Sequence, residues 1–397
     1  MTLLQKLIAD LCPNGVPKFK LGELEDNGVL KLGRGDVISK TDLNEHPGSF
    51  PVYSSSATSN GIFGRYGKFM FEDERITWSI DGGGKFFYRP IHQYSVTNVC
   101  GWLKVLQPQT LITKYIYYVL IAAWGGRTYN YTVKAHPSVI REDYLIPLPP
   151  IEVQHEIVRI LDTFMELEAE LEAELEARRT QFAFLLDQVF DNEEIGRSGL
   201  TKLDDHGEFD RGNGLQKTDF SESGVGCIHY GQIYTKFGSH ANDVYTYVPE
   251  ALAAKLKKVK QGNLIITTTS ENIQDVCKAV AWLGGNEIVI GGHSCVYRHD
   301  LDPLFATYLF RSRLFQDQKN SFVQGTKVKD IKPAQIGKIE VYVPPMKKQI
   351  EIGLMMRNFD ALLQDVSIGL PAEIAARRQQ YEYYRNKLLT FRPLEAA

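Results

Sequence analysis

The chain has 397 residues, 45 Lys plus Arg against 48 Asp plus Glu, and a formal net charge of -3. At about 150 residues per domain that length holds two to three domains. A composition of 43% hydrophobic and 23% charged residues excludes wholesale disorder. The charge balance excludes a uniformly basic nucleic-acid binder, but not a basic surface offset by an acidic segment elsewhere.

No run of about 18 apolar residues is present, so no membrane-spanning helix is predicted. The N-terminus, MTLLQKLIADLCPNG, lacks the apolar core and cleavage site of a signal peptide. Cys12, Cys100, Cys227, Cys277 and Cys295 are odd in number, scattered and without a CxxC pair. Reduced, mostly buried thiols in a cytoplasmic protein are expected, with no metal site.

Along the chain, FPVYSS (50–55), RITWSI (75–80) and NVCGWLKV (98–105) are β-rich and bounded by turn formers. A helical stretch over 113–124 follows, then a strand that ends in Pro149-Pro150. Beyond the prolines the apolar period becomes helical: Ile157, Leu161, Phe164, Leu167, Leu171 and Leu175. Proline at a helix start costs little, because first-turn amides lack intrahelical partners anyway. Within this helix, 167–178 reads LEAE-LEAE-LEAR, a run of strong helix formers.

The order then repeats. VGCIHYGQIY (225–234), GNLIITTT (262–269), EIVIGG (287–292) and SCVYRH (294–299) are β-rich, 303–316 is helical, and a strand leads into Pro344-Pro345. LIPLPPIEVQHEIVRILDTF (145–164) matches EVYVPPMKKQIEIGLMMRNF (340–359) at an offset of 195 residues. RGDVISKTDL (34–43) matches RGNGLQKTDF (211–220) at an offset of 177, which Tyr53 and Tyr230 share. RRTQF (178–182) matches RRQQY (377–381). Such self-similarity marks a duplicated unit of globular segment plus helix.

A helix of about 60 Å, at 1.5 Å per residue, cannot bury its apolar stripe alone. Its predicted partner is the duplicate after Pro345, with Ile352, Met355 or its neighbour Met356, Phe359, Leu362 or its neighbour Leu363, and Val366 completing an antiparallel seam. Charge fits the pairing: residues 151–194 carry thirteen acids and three bases, whereas 346–391 carry seven bases and five acids. Without 151–194 the rest of the chain is net +7. The second helix is expected to break near Gly369-Leu370-Pro371.

There is no GxxxxGK[ST] loop, no GxSxG elbow and no HExxH pair, so no active site is legible. The duplicated loops instead suit DNA. Arg34, Lys40 and Thr41 correspond to Arg211, Lys217 and Thr218, side chains that donate to phosphates and base edges. Ser54 and Ser55, and Tyr230 and Gln232, lie at or just after the matched tyrosines. Lys85, Tyr88, Arg89, Lys134, Lys327 and Lys329 add charge with aromatics interleaved. Asp42 and Asp219 are as well explained as turn or helix caps. Two such domains on a rigid spacer predict a bipartite site with an unread gap.

Over nearly its full length the chain resembles the specificity subunit of type I restriction-modification systems. The double-proline helices, the LEAE repeats and RRQQYEYYRNKLLTF (377–391) carry the likeness, and the tetrapeptide repeats look most like those of the type IC branch. The resemblance implies an α+β fold: two pseudo-symmetric α/β target recognition domains separated by two long helices forming an antiparallel coiled coil. The boundaries expected are 1–150 for the first recognition domain, 151–195 for the spacer helix, 196–345 for the second recognition domain and 346–397 for the C-terminal helix. It also implies double-stranded DNA as ligand, with two methyltransferase subunits and endonuclease/translocase subunits as partners. Arg178, Arg179, Phe182, Arg377, Arg378, Tyr381 and Tyr384 are the docking candidates. S-adenosylmethionine, ATP and Mg would act on the partners, and none of these cofactors on this chain. The residues alone leave open a coiled-coil adaptor that binds proteins, or a module detached from a fused restriction-methylation enzyme.

Overall fold

The structure is a computed structural model that describes residues 2–55, 59–125, 127, 129–130, 132–191, 199–364 and 369–394. Val366, assigned to the seam, lies outside these residues, as does the 195/196 boundary. The chain forms two compact units, Met1–Glu170 with Ala375–Ala397, and Leu171–Ile374. The division therefore falls inside the long helices, not at the double prolines.

In the first unit a central antiparallel sheet runs in the order Leu30–Arg34, Cys100–Val105, Arg75–Ser79, Phe86–Arg89. Every residue of Arg75–Ser79 is buried, as expected of a strand covered on both faces. A smaller sheet places Phe50–Tyr53 antiparallel to Ile62–Tyr66 and parallel to Ser95–Val96. Lys18–Lys20 pairs with Leu145–Pro147, the strand that leads into the prolines. The two ends of the chain also meet here: the Val16 amide donates to the Arg392 carbonyl at 2.9 Å.

The second unit repeats this plan. Gly207–Arg211, Ser294–His299, Leu264–Thr267 and Ala279–Trp282 form its central sheet in that order, extended by the short strand His240–Ala241. Val225–Ile228 runs antiparallel to Thr246–Val248 and parallel to Ile288–Ile290. Leu200–Lys202 pairs with Glu340–Tyr342. The duplication is thus one of strand order and direction, well beyond the matched motifs. One local expectation changes: Tyr230–Thr235 is a helical turn capped by His229, not the end of a strand.

The central helix spans Ile151–Phe190 as one element. In the first unit Val153, Ile157 and Leu161 pack with Tyr115, Ile116, Tyr118 and Val119 of the helix Thr113–Trp124. Antiparallel to it, Phe164 stacks on Tyr384 at 5.5 Å and Glu168 pairs with Arg378 at 2.6 Å. In the second unit Phe182 meets Phe359 at 5.5 Å, and Leu186 and Phe190 share a core with Ile352 and Met356. The C-terminal stretch contains the helices Met346–Gln364 and Leu370–Leu388, the second starting after Gly369, at the expected break.

Three seam assignments are corrected. Met355 and Leu362 are exposed, and Met356 and Leu363 take the buried positions. The face is set by the helix Pro303–Leu309 as well as by the central helix. A Cβ at Gly353 would lie 2.7 Å from Asp302 Oδ1 and 2.8 Å from the Phe305 amide, so this glycine permits that approach. Leu167 is also exposed, and from Met165 to Gln181 no residue of the central helix is buried. Leu171 and Leu175 are half-buried.

Each helix is anchored by a glutamine. Gln154 Nε2 donates to the carbonyls of Pro149 and Thr110, both at 2.9 Å, and its Oε1 accepts from the Ile112 amide at 3.0 Å. Gln349 Nε2 donates to the Pro344 carbonyl at 2.8 Å, and its Oε1 accepts from the Asp302 amide at 2.8 Å. Both glutamines are buried. Gln154→Leu strands these backbone groups, at about 1–3 kcal/mol. Calorimetric unfolding is expected to show a lowered transition for the first unit, and an unchanged profile removes the anchor role.

Candidate DNA interface

In the second unit, Arg211 closes a central strand and pairs with Asp330 at 3.4 Å. Gly214 and Leu215 then both take left-handed conformations, with φ of 56° and 59°, and reverse the chain. Asp219 accepts from the Gln216 amide at 2.6 Å and caps the turn that follows, leaving Lys217 and Thr218 exposed. In the first unit Asp42 accepts from the Ser39 amide at 2.7 Å, and Lys40 and Thr41 stand exposed on the first turn of the helix Lys40–Glu45. The aspartates in the repeat are therefore caps. The bases beside them are free of that duty.

Around Arg211 the structure gathers further candidates. Asp330 faces Thr269, and Lys329 faces Ser270, in a two-stranded ladder. Tyr234 donates to the Thr269 carbonyl at 2.8 Å. The Tyr230 ring lies 4.5 Å from His229 and 4.7 Å from His293. Burial, and then the Lys217 and His293 charges, push the His229 pKa below its ordinary value. Lys327 is exposed, and Lys329 Nζ donates to the Gly325 carbonyl at 2.9 Å. Tyr230, Tyr234, Ser270, Asn272 and His293 line a cavity of about 400 Å³ on this face. Arg211, Lys217, Thr218, Tyr230, Lys327 and Lys329 thus belong to one neighbourhood. Gln232 does not serve it, because its Oε1 accepts from the His229 amide at 2.9 Å and its Nε2 donates to Thr246 Oγ1 at 3.2 Å.

In the first unit a comparable edge is continuous. Arg34 ends its strand exposed, and its carbonyl accepts from Trp102 Nε1 at 3.0 Å. Asp36 bridges to Thr97, whose hydroxyl donates to Ser54 at 2.9 Å. The Ser55 carbonyl accepts from Ser79 Oγ at 2.8 Å, next to the Asp81–Gly84 loop. Asp81 in turn pairs with Lys134 at 3.0 Å, and Lys85 is half-buried 5.3 Å from the Phe87 ring.

Two basic-patch assignments fail. Arg89 is 1% exposed. It donates to Thr77 Oγ1 at 2.9 Å, to Asn60 Oδ1 at 3.0 Å and to the Asn60 carbonyl at 2.9 Å. Its guanidinium covers the Tyr53 ring at 3.6 Å, and burial pushes its pKa down. Tyr88 donates to Glu74 and lies half-buried beneath Lys114 Nζ, so it is a packing residue too.

Among the docking candidates, Tyr381 is buried and Phe182 half-buried in the helix packing, which removes them as free contacts. Arg378 is engaged by Glu168, Arg178 by Glu174 at 2.7 Å, and Arg179 by Glu176 at 3.6 Å. Arg377 donates to Gln380 at 3.3 Å. Tyr384, stacked on Phe164, keeps 36% of its surface exposed. The loop Glu271–Asp275 was not singled out from the sequence, and the run Gly291-Gly292-His293-Ser294-Cys295 reads there as a turn into a buried strand. The polar run SENIQD between two apolar strands was the available signal.

A family profile described as the type I restriction modification DNA specificity domain matches residues 16–177 and again 200–376. The chain belongs to this family. A Mycoplasma pneumoniae protein, provisionally named a type I specificity subunit, is 24% identical over 366 residues, covering 91% of this chain and 95% of that one. A crystal structure of the type I restriction-modification S subunit from M. genitalium shares the fold, at a TM-score of 0.53 and 17% identity over 94% of this chain and 95% of that one. A chain from a structure of complex assembly in a type I system matches at a TM-score of 0.57 and 13% identity, over 95% and 98%. Among the described residues no helix is long and apolar enough to cross a membrane, and no cluster of His, Cys, Asp and Glu is placed to hold a metal. All five cysteines are buried and unpaired.

The environments separate the two kinds of base. Arg89→Leu is expected to cost about 2–4 kcal/mol through its orphaned partners, seen as a lowered melting temperature. Lys217→Ala should leave melting unchanged and reduce the slope of log affinity against log salt by about 0.9 for the lost phosphate contact. The opposite pattern in either variant would reverse these roles.

Proposed function

We propose that this chain is the DNA-reading subunit of a type I restriction-modification complex, in which each unit reads one half of a split site. The carrying observation is the duplication. The family profile matches both halves, each half repeats one strand order, and Arg34-Lys40-Thr41 and Arg211-Lys217-Thr218 occupy the same place in each copy. The units have diverged in sequence, so the half-sites differ. The chain performs no chemistry itself. Methyl transfer from S-adenosylmethionine and ATP- and Mg-dependent cleavage belong to two methyltransferase subunits and the endonuclease/translocase subunits, in the cytoplasm. Arg178, Arg179, Arg377, Arg378 and Tyr384, on the helices, are the docking residues that exposure still supports. The tetrapeptide repeats favour the type IC branch.

Co-expression with the cognate methyltransferase, followed by genome-wide mapping of methylated bases, tests this. A bipartite motif with a fixed gap is expected, and a formed complex that methylates no such motif sinks the proposal.

The LEAE repeats give a sharper expectation. Four residues of helix amount to about 6 Å of length and a rotation of about 40°. Deleting Leu171–Glu174 should change the unread gap while both half-site sequences persist in the same methylation map. Altered half-sites would count against a spacer role.

A further inference from the structure

We propose that the loop Ser270–Asp275 is the base-reading element of the second unit, with the Glu271 carboxylate accepting a hydrogen bond from the exocyclic amino group of a cytosine or adenine in the major groove. The inference rests on the DNA-reading function and goes beyond it by naming the element, the residue and the class of base.

The loop joins the two central strands Leu264–Thr267 and Ala279–Trp282, and it is fixed from several sides. Thr269 and Ser270 are held in a ladder with Asp330 and Lys329. Asn272 is consumed within the loop, accepting from the Asp275 amide at 2.8 Å and donating to Asp275 Oδ2 at 2.6 Å. Behind it lies Lys319, whose side chain is fully buried. Its ammonium donates to the carbonyls of Ile273 at 2.7 Å and Val276 at 3.3 Å. Cys277 then leaves the loop at a φ of 66°. A lysine buried without a carboxylate partner is costly, and burial pushes its pKa down. Its hydrogen bonds hold the loop backbone from behind.

Glu271 is the exception. It is exposed, lines the 400 Å³ cavity opposite Tyr230 and His293, and has no hydrogen-bond or ion-pair partner among the described residues. Lys217 and Lys327 stand exposed in the same neighbourhood, and Lys329 flanks the loop directly. Those cations suit phosphates, which a carboxylate would repel. A free carboxylate on a phosphate-binding face is favourable only at a base edge that presents an amino donor, which means cytosine N4 or adenine N6. Preorganisation matters because a mobile loop would lose the small energetic margin between bases.

The first unit differs at the equivalent place. Its loop between Arg75–Ser79 and Phe86–Arg89 reads Asp81-Gly82-Gly83-Gly84-Lys85, and Asp81 is occupied by Lys134 at 3.0 Å. The carboxylate requirement is therefore confined to one half-site.

The test uses the full chain in complex with its cognate methyltransferase, with methylated sites mapped across the genome. In Glu271→Ala, discrimination at one base position of one half-site should fall by about tenfold or more, while the other half-site and the gap are unchanged. Glu271→Arg should turn that same position toward guanine, whose O6 and N7 accept from a guanidinium. Lys319→Met, which frees the loop, should relax the same position, and a general loss of stability would not select it. If Glu271→Ala keeps the wild-type motif at every position, the loop assignment is overturned while the DNA-reading function stands. If the wild-type complex methylates no split motif, both fall together.

Discussion

A single side-chain amide sets the geometry on which each half of this protein is built. Two prolines in succession supply carbonyls but no amide donors, so a helix starting there leaves an acceptor to be satisfied from elsewhere. Gln154 and Gln349, each four residues beyond the second proline, satisfy it and tie the same amide group to the segment entering the neighbouring helix. The start of each long helix is thereby fixed against its own domain. Everything further along inherits that origin: Ile157 and Leu161 are three and seven residues past Gln154, and Ile352 and Met356 are three and seven past Gln349. All four are buried. Further on, Asp162 accepts from Tyr118 at 2.5 Å and Asp360 from Tyr308 at 3.1 Å, so polar links to the domain continue on both helices.

The same arithmetic shows how much was legible beforehand. The offset of 195 residues carries Ile157 to Ile352, Leu161 to Met356, Phe164 to Phe359 and Leu167 to Leu362. Applied throughout, it selects Met356 over Met355, which is what packing demands. It also pairs Leu167 with Leu362, the two seam leucines that are both exposed. A heptad pattern alone overextends the seam because it assumes one partner along the whole helix, whereas each helix start is packed against its own domain as well. The order of strands and helices was legible because turn formers punctuate it. The parallel pairing of Phe50–Tyr53 with Ser95–Val96, and of Val225–Ile228 with Ile288–Ile290, was not, since nothing local encodes a non-adjacent partner.

The candidate interface was legible only by residue type, and type does not reveal direction. Arg89 and Arg34 are both arginines at strand ends. Arg89 follows Phe86-Phe87-Tyr88 in a strand covered on both faces, so its charge is spent on Thr77, Asn60 and the Tyr53 ring. Gln232 differs from its residue type's expectation for a similar reason: a glutamine three residues after a helix N-cap closes a capping box. Retention between the two halves does not separate these cases either. Asp42 and Asp219 are retained for capping, while Lys40 and Lys217 beside them have no such duty. Burial and hydrogen-bond use make the distinction.

Electrostatics gives the near-neutral total a different meaning. Between Glu166 and Glu176 the central helix exposes glutamates along a stretch in which no residue is buried. Arg378, Arg178 and Arg179 pair with Glu168, Glu174 and Glu176, so the acids left over on this stretch disfavour a phosphate backbone within about a Debye length, roughly 10 Å at 0.1 M salt. Helix formers with exposed charges can hold length without needing a core, which suits the spacer role proposed for this stretch. The remaining chain, at net +7 with its exposed bases on the duplicated turns, carries the attraction for DNA. Spread over more than 350 residues this excess is modest, so affinity has to come from placement of individual bases, or from partner subunits, and not from bulk charge. A protein organised in this way discriminates by a few fixed contacts, which is why loops held from behind matter more to it than additional lysines would.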